Sequence, residues 1–125
     1  MVGILRSFKN AFNGLILAFP NHINMRIHVF IACICIILGL VLKLEPIEWA
    51  GIFICFGLVF SLELINTAIE ELTNFISPDF HPQAGKVKDL AAAAVLVGSF
   101  FAFLVGLFIF IPKIYYWGCY FLYAR

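Results

Sequence analysis

Residues 90–111 read LAAAAVLVGSFFAFLVGLFIFI and contain no charged side chain. A helix needs about 20 predominantly apolar residues to cross the roughly 30 Å hydrocarbon core of a bilayer. The whole chain of 125 residues is 64% hydrophobic and only 12% charged. Ordinary soluble domains are nearer half apolar and a quarter charged, so one small core cannot bury this much apolar surface. The sequence therefore predicts an all-α membrane protein with a single domain over residues 1–125.

The rest of the chain contains two more candidate spans and one amphipathic segment. We predict spans over about 27–44, 47–75 and 88–111, and we expect Pro112 to close the last one. Over about 4–19, apolar residues recur every three or four positions with polar residues between them. This pattern predicts an N-terminal amphipathic helix in the membrane interface. The alternative is that this helix packs on the bundle, and the two are compatible.

The connections and the basic residues predict the arrangement of the spans. A tight turn with Pro46 joins the first two spans, and a longer loop over residues 77–87 joins the second and third. Three spans place the two chain ends on opposite sides of the membrane. One side then holds Arg6, Lys9, Arg26, Lys86 and Lys88, and the other holds Lys43, Lys113 and Arg125. This bias favours a cytoplasmic N-terminus and a cytoplasmic loop over residues 77–88.

Composition also argues against several classes of function. The net charge is +1, so no strong basic field indicates nucleic acid as a partner. The four cysteines form no C-x-x-C pair, and we expect them to pack as small apolar residues. The apolar run from Gly14 to Phe19 is short and lacks a cleavage pattern, so we predict no signal peptide.

Small residues form a ridge along the third predicted span. They stand four positions apart at Ala94, Gly98, Ala102 and Gly106. Such a ridge lets helices approach closely in lipid. It fits packing within one subunit or between copies of the chain, and the pattern does not separate the two. Three spans seldom enclose a polar site alone, which favours an oligomer.

The second predicted span carries a stripe of polar side chains within its helical pattern. At about 100° per residue, its members fall within roughly a third of the helix circumference. They are Glu63, Asn66, Thr67, Glu70 and Asn74. A carboxylate deep in hydrocarbon is costly to ionise, so Glu63 must face other helices, water, a metal or a substrate. The alternative to a functional site is a stripe that only forms hydrogen bonds between helices. Glu71, on its flank, is expected to be a solvated interfacial charge.

A second polar cluster opens the third span. An antiparallel pair of helices would bring Glu70 and Asn74 to the same membrane surface as Lys88 and Asp89. Taken singly, Asp89 could be a first-turn acid favoured by the helix dipole, and Lys88 a positive-inside anchor. Phosphoryl transfer needs a metal held by carboxylates, a cation on the phosphates and a base. No P-loop or protein-kinase signature is present, so these residues indicate metal and anion handling without fixing a reaction.

Residues 63–96 read ELINTAIEELTNFISPDFHPQAGKVKDLAAAAVL and closely resemble the small bacterial integral-membrane diacylglycerol and undecaprenol kinases. The family pattern is E-x-x-N-[ST]-A-x-E, an acidic-aromatic-His loop, K-D and an A-A-V-L run, and all of these occur here with matching spacing. Upstream, FKNAFNGL and NMRIH resemble the family's amphipathic helix and the start of its first span. NMRIH, which contains His28, is more similar to the undecaprenol-preferring branch than to the diacylglycerol branch.

The resemblance implies a homotrimer with composite sites between subunits, in the bacterial inner membrane. It also implies ATP as co-substrate, Mg²⁺, and transfer of the γ-phosphoryl group to a lipid hydroxyl at the cytoplasmic face. By the same resemblance, Glu63 is the catalytic base, Asn66 supports it and Glu70 binds the metal. The residues expected around the nucleotide are Asp79, Phe80, His81, Lys88 and Asp89, with Asn74 and Arg26 in support.

Two positions depart from the family pattern. His22 stands where the family usually has a second metal-binding glutamate, and Asn74 stands where it usually has an aspartate. Imidazole is a poor ligand for Mg²⁺, which prefers hard oxygens. Either Asn21, Asn24 or a phosphate completes the site, or another metal is used, or activity is low. The departures bear on metal affinity and not on the fold.

Three functions compete at this point. The first is a lipid kinase, with undecaprenol favoured over diacylglycerol. The second is a non-catalytic lipid-binding or accessory protein derived from these kinases, which His22 and Asn74 would favour. The third is a small proton-coupled transporter with Glu63 as a relay, although the sequence lacks the repeats and broken helices such folds often show.

Overall fold

Four helices make up the computed structural model, which describes residues 2–79 and 81–123. They are α1 (Val2–Asn21), α2 (Ile23–Val41), α3 (Pro46–Ile76) and α4 (Pro82–Tyr123). Within those two ranges no residue is in a strand, so the predicted all-α fold is confirmed. Two residues used in the sequence analysis, Phe80 and Arg125, lie outside the described residues.

Three of the helices are long and apolar enough to cross a membrane. They are α2, α3 and, over Pro82–Cys119, α4. The helix α1 is the predicted amphipathic helix. Its first turns leave Ile4 and Phe8 exposed, whereas Ala18 near its end is buried. Because α1 also contacts α2 and α3, it packs on the bundle at one end and keeps an apolar surface free at the other.

The helix α2 is offset from the predicted first span, beginning at Ile23 and ending at Val41. The expectation that it extends to Leu44 is wrong, because Lys43 takes a positive φ of 54° and turns the chain. A tight turn follows, as predicted. A capping box then starts α3, in which the Glu45 backbone N–H donates to Glu48 Oε2 at 2.6 Å. The turn therefore sets α2 and α3 side by side.

The loop between α3 and α4 is shorter than predicted. It spans residues 77–81 only, because α4 already begins at Pro82. Proline is well tolerated in the first helical turn, where its missing N–H has no partner to lose. The ring nitrogen Nδ1 of His81 accepts a hydrogen bond from the Gln83 backbone N–H at 3.2 Å, which caps the helix start. A short loop brings the end of α3 close to the start of α4.

The expectation that Pro112 closes the last span is wrong, because α4 runs through it to Tyr123. A proline costs one backbone hydrogen bond, and membrane helices tolerate this where their surroundings compensate. Lys113 Nζ lies 2.9 Å from Glu48 Oε2 and 3.8 Å from Glu45 Oε1. These contacts hold the segment after the proline against the start of α3.

The small-residue ridge of α4 packs partly within the subunit. Gly98 is buried, and a Cβ added there would overlap Leu62 Cδ1 of α3. Ala102 and Gly106 line a cleft between the helices, whereas Ala94 is exposed. The absent side chain at Gly98 thus allows the close approach of α3 and α4, which brings the polar stripe next to α4.

Candidate active site

The upper part of the polar stripe is buried on the inner side of α3. Glu63 is 1% exposed, Asn66 is 4% exposed and Thr67 is 8% exposed. Their apolar neighbours Ile65 and Leu72 are 57% exposed and point to the outside. The helical period therefore directs the carboxylate and the amide towards other helices, away from the lipid-facing surface.

The buried stripe contains polar atoms without a partner. Glu63 Oε2, Asn66 Oδ1 and Thr67 Oγ1 accept or donate no hydrogen bond within the described parts of the chain. Buried polar groups in proteins are nearly always hydrogen-bonded, so each of these orphaned atoms, which have no hydrogen bond, needs an explanation. A stripe that served only to hold helices together would have its partners in place. The orphans instead fit a site that is completed by a substrate or a second subunit.

His28 of α2 is the ionisable side chain that approaches Glu63. Its Nε2 lies 3.9 Å from Glu63 Oε2, and the two side chains are 18% and 2% exposed. The sequence analysis used His28 only as a marker of one branch of the family and missed it as a site residue. The available signal was an ionisable residue just inside the predicted first span.

Two separate hydrogen bonds lie between the buried end of the stripe and the start of α4. Asn66 Nδ2 donates to Glu70 Oε1 at 3.0 Å, and Lys88 Nζ donates to Asn74 Oδ1 at 2.5 Å. The predicted meeting of the end of α3 with the start of α4 is thus found at Asn74 and Lys88. The amide of Asn66, expected to support Glu63, supports Glu70 instead. Asp89 is exposed beside Lys88.

The other predicted site residues lie at the exposed end of the bundle. Asp79, His81 and Arg26 are all exposed. The Asp79 carbonyl accepts a hydrogen bond from Ser77 Oγ at 3.2 Å, which orders the loop. The predicted role of Phe80 falls outside the described residues. The exposed side chains of Asp79, His81 and Arg26 can reach a ligand, and their roles stay predictions.

The metal ligands expected from the resemblance are only partly supported by the geometry. His22 Nε2 lies 3.8 Å from Glu71 Oε1, on the flank of the stripe, and Glu71 is exposed as predicted. The described residues contain no group of three or more His, Cys, Asp or Glu side chains able to hold a metal. Mg²⁺ is commonly bound by one or two carboxylates together with substrate phosphates and waters. Glu70, fixed by Asn66, fits that kind of shared site.

Two cavities lie near the stripe. The first, the apolar cleft, has a volume of about 400 Å³ and lies between α2, α3 and α4. Its polar lining residues are His28, Cys35, Cys55 and Ser99. The second, the α1 groove, has a volume of about 620 Å³ and lies between α1 and α3, with His22, Thr67 and Glu71 in its wall. The α1 groove thus reaches the stripe at Thr67, whereas the apolar cleft ends about one helical turn from Glu63 along α3 and is connected to it through His28.

A family model described as prokaryotic diacylglycerol kinase matches residues 9–110. The matched range includes the whole stripe, the loop, the start of α4 and every residue of both cavity walls. The chain belongs to this family. Membership in the prokaryotic diacylglycerol kinase family confirms the resemblance drawn from the motifs, and it makes the protein a lipid kinase of a bacterial membrane. Such an enzyme is a phosphotransferase with an alcohol group as acceptor.

Individual relatives divide between two acceptors. The chain is 40% identical to the undecaprenol kinase of Bacillus subtilis over 109 residues, which cover 87% of this chain and 89% of that protein. It is 37% identical to a diacylglycerol kinase of Helicobacter pylori over 108 residues, covering 83% and 84%. Identity to the diacylglycerol kinase of Escherichia coli is 26% over 94 residues, covering 75% and 77%. Kinases with both names therefore align along most of the chain.

Proposed function

We propose that the protein transfers the γ-phosphoryl group of ATP to the hydroxyl of a membrane lipid alcohol, with undecaprenol preferred over diacylglycerol. The observation that carries this proposal is Glu63, a 1% exposed carboxylate whose Oε2 lacks a hydrogen bond. The apolar cleft lies about one helical turn from it along α3, and Asn74 at the far end of the stripe accepts a hydrogen bond from Lys88. The 40% identity to an undecaprenol kinase supports the preferred acceptor.

The proposed roles follow the stripe from its buried end to its exposed end. Glu63 removes the proton of the lipid hydroxyl, as a general base within hydrogen-bond reach would. Glu70, held by Asn66 at 3.0 Å, binds Mg²⁺, which would neutralise charge on the phosphates when bound. Lys88, held by Asn74, and its neighbour Asp89 lie on the nucleotide side.

The remaining residues complete the nucleotide site. Asp79, Phe80 and His81 form the loop around ATP, and Arg26 supports the site from α2. The apolar cleft accommodates hydrocarbon from the lipid, because its lining is almost wholly apolar. This division places the lipid hydroxyl at Glu63 and the phosphates towards Lys88.

We also propose a homotrimer in the inner membrane with its sites at the cytoplasmic face. The charge bias across the three spans supports the orientation. The orphaned polar atoms of the stripe support a site completed by a second subunit. Native mass spectrometry of the detergent-solubilised protein tests the subunit number, and a monomer or dimer as the active species contradicts it.

One assay tests the kinase proposal directly. Purified protein is incubated with ATP and either undecaprenol or diacylglycerol in bilayers, with Mg²⁺ and with Mn²⁺ in parallel. We expect phosphorylated undecaprenol to form faster than phosphorylated diacylglycerol, and both activities to be lost in Glu63→Gln. A folded protein that phosphorylates neither lipid refutes the proposal.

A non-catalytic lipid-binding role is the second candidate, favoured by two observations. His22 lies near Glu71 rather than completing a metal group, and Asn74 carries no charge. Such a protein would bind no nucleotide in a magnesium-dependent way and would tolerate Glu70→Gln. Titration of ATP with and without Mg²⁺ therefore separates the two functions.

A further inference from the structure

His28 is a half-buried histidine of α2 at the border between the apolar cleft and the polar stripe. Its side chain is 18% exposed and lines the cleft. Its Nε2 lies 3.9 Å from Glu63 Oε2, the carboxylate oxygen that has no hydrogen bond. The predicted site residues did not include it, and the family motif around Glu63 lies on another helix.

We propose that His28 is a positioning residue for Glu63, and that its Nε2–H donates a hydrogen bond to Glu63 Oε2 when the site is closed around substrate. This inference rests on the proposed function for its catalytic consequence, although the contact itself does not. The ring fixes one carboxylate oxygen, so the other oxygen, Oε1, is presented to the lipid hydroxyl.

The distances favour this donor over its neighbours on α3. Charge-assisted N–H···O bonds are about 2.7–2.9 Å long, so a side-chain shift of about 1 Å closes the observed gap. Catalytic hydrogen bonds are often longer before substrate binds. The nearest amide on the same helix face, Asn66 Nδ2, already donates to Glu70. A carboxylate buried to this degree is costly without a donor, and His28 can supply one.

The contact constrains the direction of proton transfer. As the lipid oxygen bonds to the γ-phosphorus, the bond between that phosphorus and the departing ADP oxygen breaks. The hydroxyl proton passes to Glu63 Oε1, while His28 keeps its own proton and continues to donate to Oε2. The proton on Glu63 leaves to water once the phosphorylated lipid and ADP have gone. His28 therefore acts through Glu63 and does not itself accept the proton.

Three variants on α2 test the role by kinetics. His28→Leu removes the donor, His28→Gln keeps an N–H near the position of Nε2, and Cys33→Ala is a matched control at an exposed position of the same helix, outside the cleft. We expect His28→Leu to lower kcat about 10- to 100-fold, the loss of one hydrogen bond to a charged group, with KM for the lipid within about twofold. His28→Gln should recover most of the rate, and Cys33→Ala should match the parent.

The same substitution in a second background shows whether His28 works through Glu63. In Glu63→Gln, His28→Leu should change the residual rate less than about twofold, because residues that act as a unit are not additive. Equal losses for His28→Gln and His28→Leu would overturn the proposal. So would a change confined to KM, which would show that His28 only shapes the cleft.

A spectroscopic readout tests the contact without any activity. In protein labelled with ¹⁵N-histidine, the signal missing in His28→Leu identifies the ring. We expect its Nε2 to carry a proton and its shift to move on Glu63→Gln, while the His22 and His81 signals stay in place. An unmoved signal contradicts the contact. If the parent phosphorylates neither lipid, the proposed function fails and this spectrum still decides whether His28 donates to Glu63.

Discussion

Gly39 is the position where one added methyl group should most clearly weaken the fold. A Cβ at this residue would lie 2.7 Å from Trp49 Cη2, 2.9 Å from Trp49 Cζ2 and 2.9 Å from Leu44 Cδ1. Carbon atoms in favourable contact are about 3.5–4.0 Å apart, so the shortfall is close to 1 Å. The Trp49 ring stacks on Phe53 with centroids 5.5 Å apart. A rigid, stacked ring cannot move aside as a flexible side chain can.

Two opposing effects set the magnitude for Gly39→Ala. Forcing an extra carbon into a packed site costs about 1–3 kcal/mol. Alanine in place of glycine within a helix returns about 0.5–1 kcal/mol. The steric cost of the added Cβ should exceed the gain in helix propensity, and we expect a net loss of about 1–2 kcal/mol in the free energy of unfolding.

Unfolding in mixed micelles by increasing SDS, followed by circular dichroism, measures this loss. Gly118→Ala is the matched control, because a Cβ there meets nothing within 4 Å, so its stability should be unchanged or slightly higher. His28 lies 11 positions from Gly39 along α2, about 16 Å at 1.5 Å per residue. Activity of the folded fraction should therefore be nearly normal. A Gly39→Ala protein as stable as the parent would refute the assigned packing of α2 on α3.

Three further predictions concern the site. Glu63→Gln should lower lipid phosphorylation about 10²- to 10⁴-fold while leaving thermal unfolding nearly unchanged, because Oε2 has no hydrogen bond to lose; a large drop in unfolding temperature would instead indicate a structural role. His22→Glu should lower the Mg²⁺ concentration needed for half-maximal ATP binding, since a carboxylate is the harder ligand, and an unchanged titration would place this residue away from the metal. Lys88→Met should weaken ATP binding, measured by calorimetry, about tenfold or more. Asn74→Ala removes only the neutral hydrogen-bond partner of Lys88 and should weaken ATP binding less. Equal effects of the two substitutions would contradict a direct contact between Lys88 and phosphate.

Periodicity along the sequence predicted the helices and the face that carries the stripe. Glu63, Asn66 and Thr67 fall on one side of a 3.6-residue helix, and all three are buried in the structure. The single loop between the second and third spans predicted an antiparallel pair of helices, and Asn74 and Lys88 do form a hydrogen bond. Each of these expectations depends on local sequence, where a repeat or a short loop leaves little freedom.

The features that the sequence did not predict depend on contacts between distant segments. Pro112 is a local helix breaker, yet α4 continues through it, and the adjacent Lys113 contacts Glu48, which is far away along the chain. His28, the neighbour of Glu63, was not predicted as a site residue because it also lies far away along the chain. The packing of α2 against α3 determines which residue of α2 contacts Glu63. The spacing of residues within either helix does not determine this packing.

The locations of His22 and Asn74 explain how the site can tolerate these two departures from the family pattern. His22 and Asn74 both lie towards the exposed end of the stripe, in the α1 groove and beside Lys88. Water and phosphate oxygens can replace a lost carboxylate there, because Mg²⁺ keeps several non-protein ligands. At the buried end no such replacement exists, since Glu63 is 1% exposed and a missing group would leave an unpaired polar atom. We therefore expect the proposed metal ligand Glu70 to tolerate substitution better than the proposed base Glu63, and the contact of His28 with Glu63 to tolerate less change than the contact of His22 with Glu71.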